Sequence, residues 1–280
     1  MFGLLAFYLG KLVNFYLKKY GLGFTLKFAA QSVQQYAAAY LGTYTKITYP
    51  ASRVGVSVRP RPFWKLLEAG LWELNCIKYI CDTVKKPCTI LDVGAWVGPY
   101  TLLFSKLMGD SGNIYAFEPD PEAFDELRAN VQRNALSNVH LEKLCIADSE
   151  GRANLRVGQE SSLSSILGDR GKEIPVQTIT LDKYCQENGI LPDAIKIDVE
   201  GAERLVIEGS RTIIRRHSPW VLLEFHAALM SKEERKRNWG KIVASAKKVT
   251  LIGDDSNRYV CGSEVKFMPE SEYFHVLIRY

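Results

Sequence analysis

The residues best suited to chemistry lie where apolar runs end. The first group is Ile90-Leu91-Asp92-Val93-Gly94-Ala95-Trp96-Val97-Gly98. Glycines at such a turn let the backbone approach a ligand, and a helix starting behind them presents free N–H groups to a carboxylate. A dinucleotide site would carry Gly-x-Gly-x-x-Gly in this position, but here three residues separate Gly94 from Gly98. That spacing does not suit a pyrophosphate, and Asp92 is placed to face an ammonium group instead. Glu118 follows 26 residues later, where an acid at a second strand end accepts from both hydroxyls of a ribose. Cys145-Ile146-Ala147-Asp148 offers an apolar contact for an adenine face and a carboxylate for its amino group. A fourth run, Ile195-Lys196-Ile197-Asp198-Val199-Glu200-Gly201-Ala202-Glu203, and a fifth, Leu223-Glu224-Phe225-His226, bring acids and one imidazole to two further strand ends. Each acid taken alone is equally at home as a helix cap or turn residue; together they point to one crevice.

The elements that must position these residues alternate. Short apolar strands are predicted at 89–93, 113–117, 139–146, 193–199, 220–225, 248–252 and 273–278, and a segment at 154–157 is expected to pair with 176–181. Helices fall between them, one at 99–108 and one after Asp120, which is set to cap a helix starting at Pro121 and burying Phe124, Leu127 and Val131. Residues 64–84 read as helical. Short strands alternating with amphipathic helices make an α/β, doubly wound, mostly parallel sheet. The last two strands read as a terminal hairpin, which puts one antiparallel strand into it.

Charge divides the chain. Its formal charge is +5, yet residues 1–65 hold nine Lys or Arg and no acid, the first acid being Glu68. Subtracting those nine from the 36 basic residues leaves 27 against 31 acids beyond Lys65. Residues 1–65 therefore read as a basic, amphipathic helical extension, with helices at 2–19 and 22–41, and residues 66–280 as the catalytic domain. Neither helix is an unbroken apolar run long enough to span a bilayer. The extension suits peripheral contact of residues 1–60 with an anionic membrane surface, or packing on the catalytic domain or across a homodimer. Arg59-Pro60-Arg61-Pro62 marks a stiff junction. The six cysteines, Cys76, Cys81, Cys88, Cys145, Cys185 and Cys261, form no CxxC pair and read as reduced, buried thiols. No secretory leader is evident, so the expected location is cytoplasmic, peripheral at the membrane if the extension binds it.

The ordered set ILDVGAWVGPYT, FEPDP, CIAD, IKIDVEGAE and LLEFH resembles the FkbM-type family of class I S-adenosylmethionine-dependent methyltransferases, over roughly residues 70–226. The resemblance implies a seven-stranded Rossmann-like methyltransferase sheet with its last strand reversed. It implies S-adenosylmethionine as cofactor and methyl transfer to a hydroxyl oxygen of a sugar, glycan, polyketide or related metabolite. Asp92, Gly94, Ala95 and Gly98 fall on the family's first cofactor motif, Glu118 on its ribose acid and Asp198 on its fourth motif; Asp148 completes the expected cofactor set. Trp96-Val97 departs from the family, where a smaller or polar pair is commoner, and bulk there would reshape the methionine pocket.

A hydroxyl acceptor must lose its proton, and His226 has the ordinary pKa for a general base; a histidine held at a strand end for structure is the alternative. Asp198 and Glu200 would assist the base, orient the acceptor or face the sulfonium. Asp198, Glu200, Glu203 and Glu224 are oxygen donors that suit a divalent cation, but no metal is expected. His140, His217 and His275 read as surface or core residues, and Ser161, Ser162, Ser164 and Ser165 as a solvated turn. Two rivals remain. An NAD(P)-dependent oxidoreductase is disfavoured by the glycine spacing, and a membrane-binding module concerns the extension alone. A nucleic-acid methyltransferase would carry Asn/Asp-Pro-Pro-Tyr/Phe where Asp198-Val-Glu-Gly stands, so no nucleic-acid partner is expected.

Overall fold

The computed structural model describes residues 43–84, 87–157, 164–167, 171–252, 260–261, 268 and 273–280, together with positions 26 and 30. The helices expected at 2–19 and 22–41 lie outside these residues. Among the described residues no helix is long and apolar enough to cross a membrane. The chain divides into two units between Trp72 and Glu73.

In the first unit, β1 (Thr45–Thr48) and β2 (Gly55–Val58) pair as an antiparallel hairpin with Ile47 opposite Val56. Ile47, Val56 and Val58 are buried, the period-two pattern of a half-buried ribbon. This hairpin was not expected from the sequence. The helical stretch read at 64–84 is two helices, α1 (Pro62–Glu68) in this unit and, past left-handed Gly70 and Glu73, α2 (Leu74–Thr83) in the second.

The second unit carries the large sheet. Its strands are β3 (Thr89–Val93), β4 (Asn113–Phe117), β5 (Val139–Glu142), β9 (Ala194–Ile197), β10 (Trp220–Phe225), β11 (Lys248–Ile252) and β13 (Phe274–Arg279). They lie in the order β11-β13-β10-β9-β3-β4-β5, with a two-residue β12 (Val260–Cys261) added beyond β11. Pairings from β10 through β5 are parallel, and β13 runs antiparallel to both β10 and β11. The reversed strand expected at the end of the chain is thus present, inserted between β10 and β11.

Helices connect the parallel strands. α3 (Pro99–Met108) follows β3 and α4 (Pro121–Arg133) follows β4; the Asp120 carboxylate caps α4 by accepting from the N–H groups of Glu122 and Ala123. The third strand, read as 139–146, is divided. β5 stays in the large sheet, while β6 (Cys145–Ile146) leaves it to join β7 (Gly151–Val157) and β8 (Lys172–Ile179) in a small sheet ordered β6-β8-β7. β7 and β8 are the pair expected at 154–157 and 176–181, shifted so that Val157 faces Lys172. Leu181 begins a helix, α5 (Leu181–Asn188), with Thr180 as its cap. α6 (Glu203–Glu208) and α7 (Arg211–His217) lead into β10, and α8 (Lys232–Val243) precedes β11.

Alternation along the strands makes the two faces of the sheet different. Leu91, Val93, Ile195, Ile197, Val221, Leu223, Phe225, Val276 and Ile278 share one apolar core. The intervening positions place Asp92, Lys196, Glu224 and His275 on the opposite face. Strand order reverses direction of travel between β3 and β9, and a crevice for ligand opens outside the carboxyl ends of strands at such a point.

Candidate active site

The loop after β3 is shaped by its glycines. Gly94 and Gly98 have φ of +78° and +96°, conformations that favour residues without a Cβ. A Cβ at Gly94 would lie 1.7 Å from the Asp198 carbonyl oxygen, so only glycine lets the β3 turn pack against the end of β9. Trp96 between them also adopts φ +48°, a strained position for a bulky residue. Its N–H donates to Glu118 Oε2 at 2.8 Å, while the Asp120 N–H donates to Oε1 at 2.9 Å. Both Glu118 oxygens are thereby anchored, and the carboxyl group is buried. Burial pushes its pKa up to about 8 against these two backbone donors. Ala95 and Val97 are buried and Trp96 half-buried, so of the unusual pair only Val97 is wholly interior.

Asp92 is fully buried rather than facing an open crevice. Thr101 Oγ1 donates to its Oδ2 at 2.5 Å, and Lys196 Nζ stands 3.7 Å from Oδ1. Burial raises the Asp92 pKa, opposed by Lys196 and Thr101. Lys196, opposite Asp92 across the β3–β9 ladder, donates to the Gly94 carbonyl at 3.0 Å and to Asp198 Oδ2 at 3.1 Å. Burial works to lower its pKa, but Asp198 and Asp92 raise it, so it stays cationic. Lys196 therefore ties the glycine loop to the fourth strand end. A lysine inside an otherwise apolar strand was the sequence signal for it.

At the ends of β9 and β10 the acids converge on one imidazole. His226 is 2% exposed. Its Nδ1 lies 2.6 Å from Glu203 Oε1, which also accepts the Gly201 N–H at 2.8 Å. Its Nε2 faces Glu200 at 3.5 Å, Asp198 at 3.6 Å and Glu224 at 3.8 Å. Burial opposes the charged ring, yet Glu203, then Glu224 and Asp198, push its pKa up to about 10. Glu200 is set by a turn in which it and Gly201 have φ of +50° and +97°; burial and neighbouring acids push it up to about 8. Asp198 is held below the usual carboxylate range, burial being outweighed by Lys196 and His226.

Glu224 links this cluster to a second. Its Oε2 lies 3.4 Å from His275 Nε2, which is 3.0 Å from Glu73 Oε2. Tyr100 donates to the same Glu73 oxygen. His275, read from sequence as a core or surface residue, is thus buried among the site acids because β13 lies beside β10, with His275 opposite Glu224.

Of the expected site residues, Asp92, Gly94, Ala95, Gly98, Glu118, Asp198, Glu200 and His226 are brought to the strand ends. Asp148 is not brought in among the buried acids: it is exposed in the bend after β6, its carboxylate accepting from the neighbouring Ser149 hydroxyl. The chain has left the large sheet at that point. Cys145, at the start of β6, is buried, and burial with the nearby Glu118 pushes its thiol up to about 12. Ser164 and Ser165 are not a solvated turn. The Ser164 hydroxyl donates to Asp120 Oδ2 at 2.8 Å and Ser165, 5% exposed, donates to the Glu200 carbonyl at 2.7 Å. Ser161 and Ser162 lie outside the described residues.

Sheet order, glycine loop and acids at successive strand ends define a class I, Rossmann-like methyltransferase. The Methyltransferase FkbM domain family model matches residues 92–250, more than half of the chain, and the chain belongs to that family. It is similar to the hexuronic acid methyltransferase AglP of Haloferax volcanii, 24% identical over 165 residues that cover 59% of this chain and 66% of that protein. It is also similar to the 31-O-demethyl-FK506 methyltransferase FkbM of Streptomyces tacrolimicus, 27% identical over 153 residues covering 43% of this chain and 58% of that one. The chain thus spans less than two thirds of either relative. The crystal structure of methyltransferase FkbM from Methylobacillus flagellatus KT aligns with TM-score 0.43 at 16% identity, over 69% of this chain and 44% of that one.

The cofactor is S-adenosylmethionine, and the donor set fits it. Glu118, whose oxygens take backbone N–H groups on one side, retains lone pairs for ribose hydroxyls. Cys145, Ile146 and Ala147, all buried, are the apolar residues that would border the adenine. The acids at the ends of β9 and β10 suit a sulfonium cation.

Proposed function

We propose that the chain methylates a hydroxyl oxygen of a sugar, glycan or related small molecule. The observation that carries this reading is the Glu203–His226 pair, with Nε2 aimed among Asp198, Glu200 and Glu224 at the strand ends beside the glycine loop. When bound, S-adenosylmethionine supplies an activated methyl group. The protein's remaining work is to align an acceptor, exclude water and remove one proton.

In this reading the base differs from the one expected. His226, surrounded by carboxylates, keeps its proton at neutral pH, since burial is outweighed and its pKa rises to about 10. Glu200, at about 8, has a proton affinity suited to receiving the acceptor's proton near neutrality. His226 and Asp198 then orient Glu200 and the acceptor. The similarity to a hexuronic acid methyltransferase supports a uronic-acid-type acceptor as the first class to try.

Calorimetry with S-adenosylhomocysteine and, separately, NAD tests the cofactor half. Saturable binding of the former, weakened at least about tenfold in a folded Glu118→Ala variant through loss of the ribose contacts, is expected. Binding of NAD alone would overturn the reading. An acceptor screen with isotopically labelled S-adenosylmethionine tests the rest, and label on carbon or nitrogen rather than oxygen would refute O-methylation.

A further inference from the structure

We propose that Asp198, Glu224 and His226 form a divalent-cation site of the manganese or magnesium type, beside the methyl-transfer crevice. One ligand atom from each of the three lies within 4.8 Å of the others, and His226 Nε2 stands 3.6 Å from Asp198 and 3.8 Å from Glu224, separations that an ion with bonds of about 2.1–2.3 Å bridges. The second observation is independent of the acids. His226 is 2% exposed and its Nε2 points into the cluster, but Asp198, Glu200 and Glu224 stand 3.5–3.8 Å away, and only Nδ1 makes a hydrogen bond. Ligands that converge on a common point without bonding one another are arranged as donors to a metal are.

The surrounding groups agree. Nδ1 of His226 is bound by the buried Glu203 carboxylate, the arrangement that fixes a metal-ligating imidazole and makes it more basic. Two carboxylates and one imidazole, with room for water or an acceptor oxygen, suit manganese and tolerate magnesium. Asp198 and Glu224 keep 22% and 16% of their side-chain surface exposed, which leaves open positions toward the crevice. The cation would sit between His226 Nε2 and the Asp198 and Glu224 carboxylates, where it would hold an acceptor oxygen beside Glu200. The proposal rests on the methyltransferase reading for that role but not for the binding itself, and it departs from the sequence expectation of no metal.

The test is a titration of the metal-stripped full chain with manganese, followed by electron paramagnetic resonance. A parallel calorimetric titration with S-adenosylhomocysteine is run on the same preparation. The expected result is one saturable manganese site per chain, competed by magnesium, weakened at least tenfold in Glu224→Gln and in Asp198→Asn, and unchanged in Asp125→Asn, an exposed acid on α4. Circular dichroism confirms that the variants fold, and Glu224→Gln carries the test alone if Asp198→Asn does not. Absence of a saturable site, or a site indifferent to Glu224→Gln, overturns the proposal. Manganese binding without S-adenosylhomocysteine binding would keep the metal site and sink the methyltransferase assignment of the crevice; the converse would sink the metal site alone.

Discussion

Glu203→Gln separates the charge of the buried pair from its shape. Glu203 Oε1 accepts from both the Gly201 N–H and His226 Nδ1, and Oε2 has no hydrogen-bond partner. Glutamine keeps the accepting oxygen and puts its amide nitrogen where the unpartnered oxygen was, so packing is conserved while one charge disappears. His226 rises from 6.5 to about 10 against the effect of burial, with Glu203 the first of the groups responsible. Removing that charge should lower the imidazolium's proton affinity about ten- to a hundredfold, or about 1–3 kcal/mol. The sign follows from linkage. A histidine whose folded pKa is raised contributes stability that is present in full below its unfolded pKa and fades as pH climbs through the folded value. The variant should therefore be less stable than the parent by about 1–3 kcal/mol at pH 6, and the gap should hold until pH passes the variant's lowered folded value and close as it climbs through the parent's, about 10. Above that range the parent buries a carboxylate without a cationic partner and loses its advantage. Urea denaturation in metal-free buffer across this range, with ring-nitrogen NMR of His226, measures both quantities. A gap that stays constant or widens as pH rises would refute this account of the pair.

Two further substitutions test the crevice. Gly94→Ala drives a Cβ to within 1.7 Å of the Asp198 carbonyl, whereas a Cβ at left-handed Gly189, just past the end of α5, meets nothing within 4 Å. The first should cost at least about 3 kcal/mol and on the order of 10 °C in Tm, against about 1 kcal/mol for Gly189→Ala; calorimetric melts that do not separate the two would count against the packing. Lys196→Met strips the cation from between Asp92 and Asp198 and should cost about 3–5 kcal/mol at pH 8. That cost should shrink at pH 5 as the buried acids protonate, and equal losses at both values would show that Lys196 is not their counter-charge.

Strand positions were legible because their signals are local. β3, β4, β10 and β11 coincide with short, mostly apolar runs, and Asp120-Pro121 announces its helix by two adjacent residues. The crevice followed from the alternation of strands and helices. What sequence did not reveal depends on which strands become neighbours. His275 looked partnerless until β13 was inserted beside β10, which alone sets it opposite Glu224. Lys196 was visible inside IKIDVEGAE, but its role depends on Asp92, more than 100 residues earlier, facing it across a parallel ladder. The third strand divides at Lys143 and Leu144, where an apolar residue continues the pattern although the backbone has moved to the small sheet. The β1–β2 hairpin was missed because four-residue strands give period-two alternation too few positions to register.

The division of labour between the two faces of the sheet bears on why the site takes this form. One face is apolar across β3, β9, β10 and β13, whereas the other mixes buried apolar residues such as Ile90, Leu222 and Leu277 with charged ones. The opposite face and the loops above it gather Glu73, Asp92, Asp198, Glu200, Glu203 and Glu224 around Lys196, His226 and His275. Acids outnumber cations there by six to three, and burial makes each uncompensated negative charge costly. A cofactor that arrives with a sulfonium charge, or a divalent cation, relieves part of that imbalance, so the strand ends are arranged to be more stable with a cationic ligand than without one. The same excess disfavours an anionic pyrophosphate at this crevice, which is the electrostatic counterpart of the glycine spacing that excluded it at the start.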